Sequence, residues 1–229
     1  MPLTALASIP LTQPQPRLHQ SSSLGAEGWT QLVNQAGRQR MLSQRIILHA
    51  VLASQGDEGA RQTAHDALAL FERSHETLSR GSPELPMPAD RRLVDAFHGP
   101  QGADTPIREF IGLAHRALQP AGRLGPHTVP ALPRLTAQAT PVLNLLQRLT
   151  QLYETLALES AKTRRRQSAD LIDRIQRVAR EARIVTFNAR VGAARAGAVG
   201  REFAAVADIL ARITEEVEHL AKQAGQMNA

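Results

Sequence analysis

The sequence predicts an all-α protein: a helical bundle of four main helices followed by an antiparallel coiled-coil helical hairpin. Three features point to it. Aromatic residues make up only 3% of the 229 residues, while Ala, Leu, Arg and Gln are abundant, as suits helices packed through aliphatic side chains. Apolar residues recur at steps of three and four through most of the chain, and no β-rich run interrupts them. After about Ser168 this spacing is sustained through two long arms, the mark of a coiled coil.

The elements follow in order. Met1 to Leu24 mixes Pro2, Pro10, Pro14 and Pro16 with Gln and Ser21-Ser22-Ser23, a composition unable to bury a core, so residues 1–27 are expected to form a disordered tail. Its apolar piece, Leu3 to Leu11, has no basic residue before it and is broken by Pro10, unlike a signal peptide. No later stretch reaches eighteen uninterrupted apolar residues, so no transmembrane segment is expected. A first helix is predicted from Gly28 to Ser54, ended by the turn Gly56-Asp-Glu-Gly59. A second runs from Ala60 to Arg80 with Ala64, Leu68, Phe71, His75 and Leu78 on one face. Gly81 to Ala89 is a proline-broken loop, and Arg91 to His98 a short helix. The Thr105-Pro106 pair starts a third main helix ending near Leu118, Pro120 to Pro133 reads as loop, and a fourth starts near Thr136 or Thr140. Nothing breaks the fourth helix at Lys162-Thr-Arg-Arg-Arg166, so it can continue into the first arm of the hairpin. The two arms carry apolar stripes, Leu171 to Ala196 and Val199 to Leu220, expected to face each other across a tip at Ala196 to Arg201, where Gly197 and Gly200 can reverse the chain. The domains expected are a helical bundle over 28–167 and a hairpin over 168–229.

Charge and chemistry narrow the function. The net charge of +6 is local: between Ser160 and Arg201 eleven Lys and Arg stand against Asp170, Asp173 and Glu181, a net of +8. Such a spread suits a solvated helix face, and no nucleic-acid motif accompanies it. The chain has no cysteine, which fits a cytoplasmic location and removes thiolate metal sites. The eight histidines lack the spacing of a helical metal site and are expected to be scattered over the surface, so neither metal nor cofactor is expected. No nucleophile with a base, paired carboxylates or phosphate-cradling loop is evident, and the protein reads as a binding protein rather than an enzyme.

The densest motif is Asn34-Gln-Ala-Gly-Arg-Gln-Arg-Met-Leu-Ser-Gln-Arg45. Helical spacing puts Val33, Gly37, Arg40, Gln44, Ile47 and Val51 on one stripe, so Arg40 is expected on a mostly apolar face, with Arg38 and Arg45 reaching water. Gly37, one turn before Arg40, leaves room for a second backbone or a small ion. The spacing equally fits an arginine at the edge of a packed face, paired with a glutamate or a carbonyl. These residues closely resemble the signature that opens the first helix of PilJ-type domains, the N-terminal domains of type IV pilus methyl-accepting chemotaxis transducers. They are also similar to a shorter box in nitrate-sensing kinases and antitermination regulators. The resemblance implies a helical bundle that senses nitrate or nitrite, with Arg40 holding the anion at a dimer interface and Gly37, Arg38, Ser43 and Gln44 as its neighbours.

The segment Ile184 to Ala207 resembles the cytoplasmic tip of methyl-accepting chemotaxis receptors through Asn188-Ala189, Ala193-Ala194-Arg195-Ala196-Gly197, Gly200-Arg201 and Phe203-Ala-Ala-Val-Ala207. Such tips dimerise as four-helix coiled coils and control a histidine kinase through an adaptor, which implies signalling roles for Asn188, Arg195, Gly197 and Gly200. Two positions depart from the family: Gly192 and Ala198 stand where it carries acids that support receptor trimers or the kinase complex. Paired glutamates fit for methylation are missing as well, Glu215-Glu216 lacking small residues after them. The expected function is a dimeric nitrate or nitrite sensor that relays ligand state to the hairpin. The alternatives are a non-sensing dimerisation scaffold derived from a receptor, and a nucleic-acid-binding nitrate-responsive regulator.

Overall fold

The computed structural model describes residues 24–119 and 131–227, so most of the expected tail and most of the Pro120 to Pro133 loop lie outside the described residues. Helices are the regular elements of the described residues: α1 Ala26–Ser54, α2 Glu58–Arg80, α3 Arg91–His98, α4 Asp104–Ala117, α5 Ala131–Ala137, α6 Ala139–Arg195 and α7 Arg201–Met227, with a 3-10 turn Gly197–Gly200 between the last two. This is the predicted bundle with its hairpin. It divides into two compact units between Leu149 and Thr150, inside α6.

The breaks between helices fall where local chemistry puts them. Gly56, at φ +100°, turns the chain after α1, and the Asp57 side chain caps α2 by accepting from Ala60 N–H at 2.8 Å. Asp90 caps α3 in the same way, accepting from Arg92 N–H at 2.8 Å. Pro106 and Pro133 each sit in the first turn of a helix, where a missing N–H costs nothing. That is why α5 begins at Ala131 although the sequence read as loop as far as Pro133.

In the first unit α1 packs along α2, and α4 packs on α1, α2 and α5. The core is built from Leu32, Ile46, Leu68, Phe71, Leu93, Phe97, Ile107, Phe110 and Leu135, with Val142, Leu146 and Leu149 buried on the opening turns of α6. The α1 stripe differs from the expected one by a single position. Trp29, Leu32, Ala36, Gln39, Ser43, Ile46, Ala50 and Ala53 are buried, whereas Val33, Gly37, Arg40, Ile47 and Val51 are half-buried and Gln44 is exposed. Gln39 and Ser43 can go inside because each finds a partner. The Gln39 amide donates to the Phe71 carbonyl at 3.3 Å, and the Ser43 hydroxyl to the Arg40 carbonyl at 2.8 Å.

In the second unit the arms also meet through a register other than the expected one. The buried positions are Ile172, Ala179, Thr186 and Ala193 on α6, and Gly200 at the end of the 3-10 turn with Ala207, Thr214 and Ala221 on α7, each set spaced by seven. Small residues let the helices approach closely. A Cβ at Gly200 would run into the Ala193 carbonyl, and Gly197 at φ +62° makes the reversal. Arg190–Asp208 at 3.0 Å and Arg183–Glu218 at 3.6 Å join the arms outside the seam.

Candidate functional site

The motif on α1 does not converge on one point. Ser43 is fully buried, with its hydroxyl turned to the backbone. Arg38 and Arg45 are exposed, and Arg38 lies on a different side of the helix from Arg40. Gly37, Arg40, Met41, Gln44 and Leu48, at steps of three and four, share a face directed away from the buried stripe. That face is unusual for a surface: Met41 is 59% and Leu48 57% exposed, and a Cβ at Gly37 would meet nothing within 4 Å. Arg40 stands at its margin, half-buried, with a buried Nε–H that has no hydrogen-bond partner. A donor kept from water without a partner costs about 1–3 kcal/mol, so this guanidinium is held with unused capacity.

A second polar cluster joins α2 to the start of α4. His75, expected on the surface with the other histidines, is only 2% exposed and its Nε2 lies 2.8 Å from Asp104 Oδ1. Arg108 Nε donates to Asp104 Oδ2 at 2.8 Å, and the Phe97 ring lies tilted against the His75 ring, 6.1 Å between centroids. Burial pushes the His75 pKa below its ordinary value, against the opposing pull of the Asp104 carboxylate. Burial alone would raise Asp104, but hydrogen bonds from Arg108 and His75 outweigh it and leave the carboxyl below the usual range. Sequence spacing could not find this cluster, because His75 and Asp104 are 29 residues apart. Among the described residues no group of three His, Cys, Asp or Glu side chains could hold a metal.

On the hairpin, the stripes expected to pair with each other instead line one open side. Leu171, Ile175, Val178, Leu210, Ile213 and Val217 surround a hollow of about 570 Å³, and Ala189, Ala196, Val199, Phe203, Val206 and Leu210 another of about 480 Å³. The two share Leu210 and run on from each other. Val199 is 82% and Phe203 74% exposed there. Asn188 and Arg195 are exposed, whereas Gly197 and Gly200 are accounted for by the turn and the close approach of the arms.

Residues 23–100 match the PilJ family model, described as type IV pili methyl-accepting chemotaxis transducer N-term. The match covers α1 to α3, 78 of the 229 residues. No curated protein and no solved structure matches the chain. No helix among the described residues is long and apolar enough to cross a membrane.

Proposed function

We propose that the protein is a dimeric cytoplasmic sensor of nitrate or nitrite, with Arg40 as the anion-holding residue and the hairpin as its output. The observation that carries this is the α1 face itself: a half-buried guanidinium with an unused donor beside the half-buried Gly37 and the exposed Met41, Gln44 and Leu48, a face directed away from the buried stripe of α1. A planar monoanion matches the donor fork of arginine. If this face meets its copy, two Arg40 side chains approach each other, and an anion between them removes the repulsion, so ligand and dimer stabilise one another. Gly37 and Gln44 flank the anion. Ser43 acts only through the backbone of Arg40, and Arg38 and Arg45 contribute long-range attraction.

The sensory portion, 28–167, and the output hairpin, 168–229, follow the change in sequence pattern and not the contact boundary inside α6. The hairpin's apolar side is the surface for the second copy, giving a four-helix coiled coil. Asn188 and Arg195, exposed near the tip, are the residues offered to a kinase or adaptor; with Gly192 and Ala198 in place of acids that engagement is altered. The hairpin groove taken alone favours a second reading, a dimerisation scaffold without a ligand.

Sedimentation equilibrium of the full chain, with and without nitrate, tests the proposal. A dimer is expected that nitrate tightens, and Ile175→Asp with Ile213→Asp should yield monomers. A wild-type monomer at every concentration contradicts the dimeric sensor, and a dimer indifferent to nitrate supports the scaffold.

A further inference from the structure

On a side of α1 away from Arg40 lies a polar cleft of about 390 Å³. Asn34, Gln35 and Arg38 reach it from α1, Thr77 from α2, and Ser82 and Glu84 from the segment that follows α2. That segment is a closed turn. Ser82 N–H donates to the Leu85 carbonyl at 2.9 Å, Leu85 N–H donates to the Ser82 hydroxyl at 3.0 Å, and the Leu85 side chain is buried beneath. Glu84 therefore stands on an ordered turn, exposed, in the lining of the cleft.

Arg38 and Glu84 line this one cleft and do not pair. Neither forms an ion pair or hydrogen bond with any described residue, and Asn34 and Gln35 are also without partners there. An exposed cation and an exposed anion line this one cleft, beyond ion-pair distance of each other, and give it charges of both signs. A simple anion entering it is opposed by Glu84, and a simple cation by Arg38. A molecule bearing both charges is attracted by both. Leu85 is the single apolar residue among those lining the cleft, so the lining favours a short or polar substituent between the charges.

We propose that this cleft binds a small zwitterion of the α-amino acid class, with the carboxylate on the Arg38 guanidinium and the ammonium on Glu84. Asn34 and Gln35 supply amide hydrogen bonds along its length. Arg38 touches the nitrate site only through long-range attraction and the other residues are distinct from it, so the protein carries two ligand sites on two sides of one helix.

Calorimetric titration of the full chain with a panel of the common L-amino acids is the test, with acetate and methylammonium as probes carrying one charge each. At least one amino acid should bind saturably while both single-charge probes fail at the same concentrations. Arg38→Ala and Glu84→Gln, both surface changes whose folding circular dichroism can verify, should each weaken binding about tenfold or more. Silence across the whole panel, or unchanged affinity in both variants, overturns the proposal. Acetate binding as tightly as the amino acid, and more tightly in Glu84→Gln, overturns it in favour of a plain anion site. Nitrate affinity should be the same in Glu84→Gln as in wild type, so a failure here leaves the Arg40 assignment untouched.

Discussion

Gln39 and Ser43 show how single polar residues set the orientation of a whole helix. Both lie inside α1's buried stripe because each hydroxyl or amide has a carbonyl to donate to, and this turns Arg40 from the core to its margin. The sequence alone favours the neighbouring stripe, which carries Val33, Ile47 and Val51, because the partner of Gln39, the Phe71 carbonyl, becomes visible only once α2 is docked, and Ser43, bonded to the Arg40 carbonyl of its own helix, follows it inside. Glycines divide in a similar way. Gly192 and Gly200 look alike in a run of small residues, but a Cβ at Gly192 meets open space while one at Gly200, in the turn, meets the Ala193 carbonyl. Gly200→Ala should therefore destabilise the hairpin by about 1–3 kcal/mol, as overpacking does. Gly192→Ala should be neutral or stabilising, since alanine is the better helix former by about 1 kcal/mol. Urea unfolding of both variants followed by circular dichroism checks the contrast, and equal losses would contradict the close approach of the arms.

At the scale of elements, the helix boundaries as far as α4 were legible because Gly56, the prolines between Gly81 and Ala89, and Pro106 punctuate the chain chemically, whereas the start of α5 was hidden by Pro133. The pairing faces were less so. Each hairpin arm has two apolar registers, and the larger residues of the exposed one mask the small Ala, Thr and Gly seam that joins the arms. Two such registers on one helix are themselves a signal, since a two-helix hairpin needs only one of them. The α2–α4 contact makes a prediction of its own. His75 has its folded pKa lowered from 6.5 by burial, so the native state binds its proton less readily than the unfolded chain. The contribution is fully present above the unfolded value and is lost as pH falls through that value and on through the folded one. Asp104, lowered from 3.8, acts in the same direction only at much lower pH. Thermal unfolding between pH 7.5 and 5.5 should show stability falling toward acid, with a shallower fall in His75→Gln. Equal slopes for the two proteins would mean that His75 does not limit this contact.

For the whole molecule, the surfaces that cannot be explained by the chain's own packing are the α1 face around Arg40 and the apolar side of the hairpin. Both were written into the sequence as periodicity, but their exposure could be known only after the buried registers were fixed. Each asks for a second copy, and the proposed ligand belongs to the first of them. The central claim is that nitrate binding rests on Arg40, and calorimetric titration of nitrate into wild type and Arg40→Ala tests it most directly. A charge-assisted hydrogen bond contributes roughly 1.5–3 kcal/mol, so removing those made by Arg40 and its symmetry mate should weaken binding by two orders of magnitude or more. Arg40→Lys should restore only part of it, keeping the charge without the fork, and Arg38→Ala and Arg45→Ala should cost less. Asn188→Ala and Arg195→Ala should leave the affinity where it was. Nitrate binding to Arg40→Ala with wild-type affinity would contradict the account.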